Sequence, residues 1–416
     1  MVRCVGSCSY SYRYICGIRR SISTAHRSAY TWVDRHGNEH RHTADLHKLT
    51  NSIDIISWNI LGPIQGESSK HTSYATLDST AWTRRRERIV RELLTLKPAV
   101  LCLQEVTSLA LNETLLGELA QHGYQCAAFA PNSDAINSVK RHSALGCAIF
   151  TRNDKIKVLA SKRLFLRNFV PLHNCKSAAY SQSVMSKKHS MAVCVVQIVG
   201  TNNWFILGNS HLYWNPKRQD IKALQTQAIV NSLSAFINSM FPRDKPLRSH
   251  PLGVVVCGDF NCMPYMHHHD SGLPAYPPIR TAPFEIMQQG YLGVDHPEHP
   301  DSWYKRLDEV SFKPDIGPLN TPHSKLKFSN IYELAEFREH EPLFTTKTND
   351  FQGWIDHLWV NSDIQVERVL SPGVRARSAD VREQNERFPF IPTKVYPSDH
   401  LPIGCVLSMK QNRSDT

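Results

Sequence analysis

The sequence predicts an α/β fold with buried sheets, and three observations carry that expectation. The stretch Val254–Asn261, VVVCGDFN, sets three β-branched residues in a row, the pattern of a strand covered on both faces. Ile53–Asn59, Ala81–Leu96 and Ala99–Leu103 read in turn as strand, helix and strand. These strands, and several later ones, finish on polar residues. In open α/β folds the strand ends are where side chains leave the core and meet a ligand.

Composition sets the outer bounds. The 416 residues suffice for one large domain or two ordinary ones. At 41% hydrophobic and 20% charged the chain is globular rather than disordered. Its apolar runs fall well short of the ~18–20 residues that a spanning helix needs, so no membrane insertion is expected. The formal net charge of +11 favours an anionic partner such as nucleic acid. Eleven cysteines without CxxC spacing point to reduced thiols rather than a disulfide framework.

Residues 1–33 contain Arg3, Arg13, Arg19, Arg20 and Arg27, interleaved serines and no acid. That is the composition of an organellar transit peptide, so a mitochondrial location is expected, with a cytoplasmic or nuclear one as the alternative. A disordered basic tail has the same composition. Residues 34–52 read as a linker, and 53–410 as one catalytic domain. In the helix Ala81–Leu96, Ile89, Val90, Leu93, Leu94 and Leu96 lie on one side, with Arg84–Arg86, Arg88 and Arg91 opposite. Leu109–Leu119 repeats a helical period, and Tyr124–Phe129 and Gly146–Phe150 read as strands. Met191–Val199 and Trp204–Leu212 form a hairpin-like pair. A long helix is expected over Lys217–Met240. Residues 262–330 read as a decorated connection with a short helix near Ala282–Gln289, and the His267–His269 run as a solvated loop. Strands are expected at Trp354–Val360, Ile364–Val369 and Ile403–Leu407.

The polar residues at strand ends are Asn59, Glu105, His211, Asp259, Asn261, Asp356, Asp399 and His400. Singly, each has an ordinary explanation, as a turn residue, a surface acid or a satisfied histidine. Together they crowd carboxylates at one end of a sheet, which needs a cation to hold the charges close. The oxygen donors suit a hard ion such as Mg²⁺, one or two in number. Metal-assisted phosphoester hydrolysis follows from that chemistry.

Six motifs carry a resemblance: Ser-Trp-Asn-Ile-Leu (57–61), Leu-Gln-Glu-Val (103–106), Ser-His-Leu (210–212), Gly-Asp-Phe-Asn (258–261), Ile-Asp-His (355–357) and Pro-Ser-Asp-His (397–400). In that order they resemble the endonuclease/exonuclease/phosphatase superfamily, and within it the deadenylase branch. That branch includes the catabolite-repression deadenylases, nocturnin, Angel and the mitochondrial 2′,5′-phosphodiesterase. The resemblance implies a four-layered α/β sandwich, two mixed β-sheets flanked by helices. It implies Glu105 as the principal Mg²⁺ ligand supported by Asn59, with Asp259 and Asp399 completing the metal positions and Mn²⁺ able to substitute. Asp259 would orient or deprotonate the water, Asn261 and His211 would hold the phosphate, and Asp356 would orient His400, which would serve as base or phosphate contact; either Asp259 or His400 would take the proton. Pro216 and Phe351 would form a nucleobase slot. Thr346 stands where the deadenylases usually carry an Asn, and His357 where they carry a Tyr.

The function so implied is a Mg²⁺-dependent 3′-exoribonuclease acting on the 3′ oligo- or poly(A) ends of RNA and releasing 5′-mononucleotides. A 2′,5′- or 2′,3′-cyclic phosphodiesterase or nucleotide phosphatase would use the same residues. A non-catalytic RNA-binding module would show eroded ligands, and none is eroded.

Overall fold

The structure, a computed structural model, describes residues 30–40, 51–68, 72–133, 144–242, 252–266, 278–308, 311–320 and 326–410. In chain order the strands are β1 (Thr31–Asp34), β2 (Glu39–His40), β3 (Ser52–Asn59), β4 (Val100–Gln104), β5 (Tyr124–Pro131) and β6 (Gly146–Arg152). Then come β7 (Ile156–Phe165), β8 (Ser190–Ile198), β9 (Trp204–His211), β10 (Gly253–Asp259), β11 (Tyr291–Leu292) and β12 (Leu319–Asn320). The last are β13 (Phe328–Asn330), β14 (Thr346–Lys347), β15 (Gln352–Gly353), β16 (Asp356–Asn361), β17 (Ile364–Ser371) and β18 (Ile403–Met409).

Two mixed sheets form. One runs β2-β1-β17-β18-β3-β4-β6-β5, the other β13-β16-β10-β9-β8-β7. Within them β3/β4 and β9/β10 are parallel pairs. The sheets face each other across Ile55, Cys102, Cys147 and Ile149 on one side and Cys194, Phe205, Leu207 and Cys257 on the other. The helix Trp82–Leu96 covers the first sheet through Ile89 and Leu93. The helices Gln219–Met240 and Ala282–Gln289 cover the second through Leu224, Ile229, Phe284 and Ile286. Helix, sheet, sheet and helix make the four layers of the expected sandwich. Strands buried on both faces explain why VVVCGD reads as an unbroken apolar run rather than an alternating one.

The expected boundary at residue 53 is corrected. β1 pairs with β17 and buries Trp32 and Val33, with Tyr30 packed beside them, so at least 31–40 belong to the sheet rather than to a leader and a linker. The short strand escapes notice because only two of its four residues are apolar. β7 was also not anticipated. It is an edge strand in which Lys157 and Lys162 are exposed and Arg163 half-buried, so it lacks the apolar density of its neighbours. Residues 1–29 and His267–His269 lie outside the described residues. Among the described residues no helix is long and apolar enough to cross a membrane.

Candidate active site

Register brings the strand ends into one row. His211 on β9 pairs with Asp259 on β10, and Asp259 pairs with Asp356 on β16. Asn59 at the end of β3 pairs with Gln104, whose neighbour Glu105 follows directly. Close approach in this row depends on Gly258. At φ +141° it lies so near β9 that a Cβ would sit 1.8 Å from the Ser210 carbonyl oxygen.

The side chains then meet. Asp356 Oδ2 accepts from His400 Nδ1 at 2.7 Å, and His400 Nε2 lies 3.7 Å from Asp259 Oδ2. His211 Nε2 is 3.4 Å from that same Asp259 oxygen. The Asn59 amide nitrogen donates to Asp259 at 3.1 Å and to Glu105 at 3.3 Å. Its own oxygen accepts from the Leu61 N–H, which fixes the orientation of the amide, so Asn59 braces the two carboxylates through its nitrogen. Glu105 takes a second donor from the Gly62 N–H at 2.8 Å. Leu61, Glu105 and Asn261 all adopt left-handed backbone, with φ of 53°, 58° and 51°. Each costs about 1 kcal/mol or more and persists only where the surroundings hold it.

Electrostatics follow the crowding. Burial pushes the Asp356 carboxyl up, with the nearby Asp259 charge adding to it and His400 opposing. Asp399 is raised by burial and by Glu105, against His400 and Arg85. Burial disfavours a charged His400, yet the charges of Asp356, Asp259 and Asp399 prevail and hold its ring well above the usual histidine range. Ligand atoms of Asp259, Asp356 and His400 all fall within 4.8 Å of one another, and the second Asp356 oxygen is buried without a hydrogen-bond partner. A raised Asp399 carboxyl and the Asp259 and Glu105 carboxylates gathered on one Asn59 amide are oxygen donors that a metal ion would satisfy, so the residues fit one.

Of the expected site residues, Asn59, Glu105, His211, Asp259, Asp356 and His400 converge directly, and Asp399 adjoins them. Asn261 is next to Asp259, with one amide hydrogen spent on the Leu212 carbonyl. Pro216 and Phe351 are exposed on separate loops, one past His211 and one before Asp356. Thr346 is corrected. Its side chain is buried and its hydroxyl donates to the Asp399 carbonyl at 2.7 Å, so it holds the Asp399 loop and does not face a base edge. His357 is buried too. Its ring, pushed down to about 4 by burial, packs on Phe284 and donates to the Cys262 carbonyl, bracing the loop after Asn261.

Sequence reasoning missed the supports beneath the row. Arg85, expected on the polar helix face, is fully buried. Its guanidinium donates to the carbonyls of Ile60, Leu61, Thr80 and Pro397. Gln104 and Asn209 stitch the sheets together, the Gln104 amide donating to Asn209 Oδ1 at 2.8 Å and Asn209 to the Leu103 and Ala148 carbonyls. Ser398 donates to the Asn59 carbonyl, and the Trp58 indole to the His400 carbonyl, strapping β3 to the Pro-Ser-Asp-His loop. The one available signal was polarity inside an otherwise apolar strand, as at Gln104 and Asn209.

A Ccr4 exoribonuclease subunit of the CCR4-Not complex from Phaeosphaeria nodorum is 27% identical over 391 residues, covering 85% of this chain and 59% of the relative. The chain thus spans about three fifths of that relative's length. Among solved structures, ANGEL2, a 2′,3′-cyclic phosphatase, superposes with a TM-score of 0.62 at 18% identity, covering 91% of this chain and 97% of that one. The human nocturnin catalytic domain gives 0.55 at 18% identity, covering 93% and 100%. These relatives lie in the deadenylase branch, and at such identities the two solved structures speak for the fold. The profile of the Endonuclease/Exonuclease/phosphatase family matches residues 56–400, most of the chain and every residue of the catalytic row, so the protein belongs to that family of phosphoester hydrolases.

Proposed function

We propose that this protein is a Mg²⁺-dependent 3′-exoribonuclease that shortens oligo- or poly(A) ends of RNA and releases 5′-mononucleotides. The observation that carries the reading is the unbroken row Asp356–His400–Asp259–His211, joined through Asn59 to Glu105. Glu105, with Asp259 and Asp399 nearby, would hold the ion, for which Mn²⁺ can stand in. A bound divalent ion polarises the phosphoryl group and eases deprotonation of water. His400, held protonated by its carboxylates, meets a phosphoryl oxygen as negative charge develops there, and Asp356 keeps its ring oriented. In this reading Asp259 orients the attacking water and draws its proton. His211 and Asn261 hold the remaining phosphate oxygens. Pro216 and Phe351 take the terminal base.

Hydrolysis of 2′,3′-cyclic ends is the second reading. The burial of Thr346 favours it, because that residue supplies no reader of an adenine edge, and the similar ANGEL2 is described as a 2′,3′-cyclic phosphatase. Residues 1–29 are proposed to direct the chain to mitochondria, on their arginine-rich, acid-free composition.

A substrate panel tests the reading: oligo-A, other homopolymers, 2′,5′-oligoadenylate and 2′,3′-cyclic ends, with Mg²⁺ and with chelator. Glu105→Ala should abolish hydrolysis while leaving the thermal melt nearly unmoved, and added Mg²⁺ should raise the melt of wild type alone. Equal turnover by variant and wild type on every substrate overturns the proposal.

A further inference from the structure

Between Asp154 and Asp220 the chain has no acidic residue, while ten residues there are Lys or Arg. Against a net charge of +11 that is a heavy concentration, and this segment builds β7, β8 and β9, the half of the second sheet that ends beside the catalytic row. Register fixes where its basic rim lies. Phe165 on β7 pairs with Ser190 on β8, Met191 on β8 with Ser210 on β9, and His211 on β9 with Asp259 on β10. Neighbouring strands are ~4.8 Å apart, so the rim runs from Asp259 to Phe165 across three strand intervals, roughly 14 Å.

That rim is aromatic as well as cationic. Trp214 is 61% exposed and lies three residues beyond His211. Its ring centroid is 6.1 Å from that of Tyr213, and the Lys187 ammonium sits 5.0 Å from the Tyr213 centroid. The Arg163 guanidinium stacks 3.8 Å from the Phe165 centroid. His189 meets Tyr213 edge-on, and its buried Nδ1 has no hydrogen-bond partner. Arg280 and Arg377 on the opposite flank pair with Glu333 and Glu341, as Lys176 and Arg218 on this side pair with Asp315 and Asp220, and Lys187 and Lys188 lie on the rim itself beside Ser190. Trp214 is the exposed ring, with Tyr213 and Phe165 half-buried beside it, and cations interleaved with rings are what a single strand needs, rings for its bases and charges for its backbone.

We propose that this rim is the track for the polynucleotide on the 5′ side of the scissile phosphate, with Trp214 and Tyr213 stacking successive bases and Lys187 and Lys188 meeting their phosphates. The inference rests on the ribonuclease reading and deepens it, making the substrate a single-stranded polymer rather than a free nucleotide.

The experiment measures kcat/KM on oligo-A of two, three, five and ten nucleotides at two salt concentrations. Wild type, Trp214→Ala, Trp214→Phe and the double variant Lys187→Ala/Lys188→Ala are compared, with thermal melts as the folding control. Wild type should gain with length. Trp214→Ala should cut the decamer-to-dimer ratio by about tenfold, Trp214→Phe should restore much of it, and the double variant should flatten the salt dependence by one to two phosphate contacts. Ratios and salt slopes equal to wild type overturn the track. Should wild type cleave no oligomer but open cyclic ends, the ribonuclease reading fails separately. Anisotropy of labelled A10 on Glu105→Ala, with and without Trp214→Ala, then decides the track alone: equal affinity overturns it and a tenfold loss supports it. If the double variant loses binding to acidic phospholipid vesicles yet keeps its affinity for A10, the rim serves a membrane and the proposal falls.

Discussion

Arg85 and Lys222 are buried cations beneath the two halves of the active site, and they are tied down very differently. Arg85, under the first sheet's strand ends, contacts carbonyls of the segments that carry Asn59, the Thr80 turn and the Pro-Ser-Asp-His loop. Lys222, on the long helix under the second sheet, donates from Nζ to the Asn261 carbonyl at 2.7 Å. Burial lowers both, Arg85 to about 10, which leaves it charged at neutral pH. A guanidinium offers five donors in a fixed fork and an ammonium three on a flexible stem. One cation therefore clamps three segments at once, and the other tethers a single loop. The left-handed backbone at Leu61 lies within the clamp, while that at Asn261 has the Lys222 tether beside its own bonds to Asp259 and Leu212 and the His357 bond to the Cys262 carbonyl.

Four changes would break or sharpen that contrast. Arg85→Met should be the most damaging. It leaves several buried carbonyls without donors at about 1–3 kcal/mol each before relaxation, so a net loss of about 4 kcal/mol is expected in denaturant unfolding. A loss below about 1 kcal/mol would mean that the clamp is not structural. Lys222→Met should separate stability from activity. It removes a desolvated charge while orphaning one carbonyl, so unfolding should move by about 1 kcal/mol or less, yet kcat should fall roughly tenfold as Asn261 loses its tether. Equal damage by both criteria would erase the distinction between tether and clamp.

Glu298 supplies the pH-dependent member. It is buried near Lys222, accepts from the Ala282 N–H, and burial pushes its carboxyl up to about 7. Against an unfolded value of about 4.3, the folded state binds the extra proton between those limits, so stability falls as pH rises through that window. Glu298→Gln keeps an acceptor and should flatten the decline, gaining about 2–4 kcal/mol relative to wild type at pH 8 and little at pH 4. Parallel stability curves for the two proteins would contradict the buried, protonatable carboxyl.

Thr346→Val should have the smallest effect. Loss of its bond to the Asp399 carbonyl should cost about 1 kcal/mol and a few-fold in kcat. The ratio of kcat/KM on oligo-A to that on oligo-U should not move. A changed ratio would return Thr346 to the base pocket.

How much of this was legible in the sequence differs between the ligands and their supports. Asn59, Glu105, His211 and Asp259 each follow an apolar run, Asp356 opens β16 inside one and His400 stands three residues before β18, and a strand places the side chains at its ends on the rim of the sheet. Local pattern therefore located the row, and fold class followed from the same runs. Thr346 was misplaced because its sequence distance from Phe351 says nothing of where its hydroxyl points. The bridge from β14 to His400 and the bond to the Asp399 carbonyl decide that.

Periodicity along one segment indicated the α/β class, most strands and the polar residues at their ends. Tertiary structure alone decided that Arg85 turns inward among arginines that face water, that Gln104 and Asn209 join the sheets, and that Trp32 and Val33 extend one of them. The physical reason is the reach of these bonds. Arg85 contacts Pro397 across 312 positions and Gln104 contacts Asn209 across 105. Whether a buried polar group is a cost or a clamp depends on partners that no local window contains.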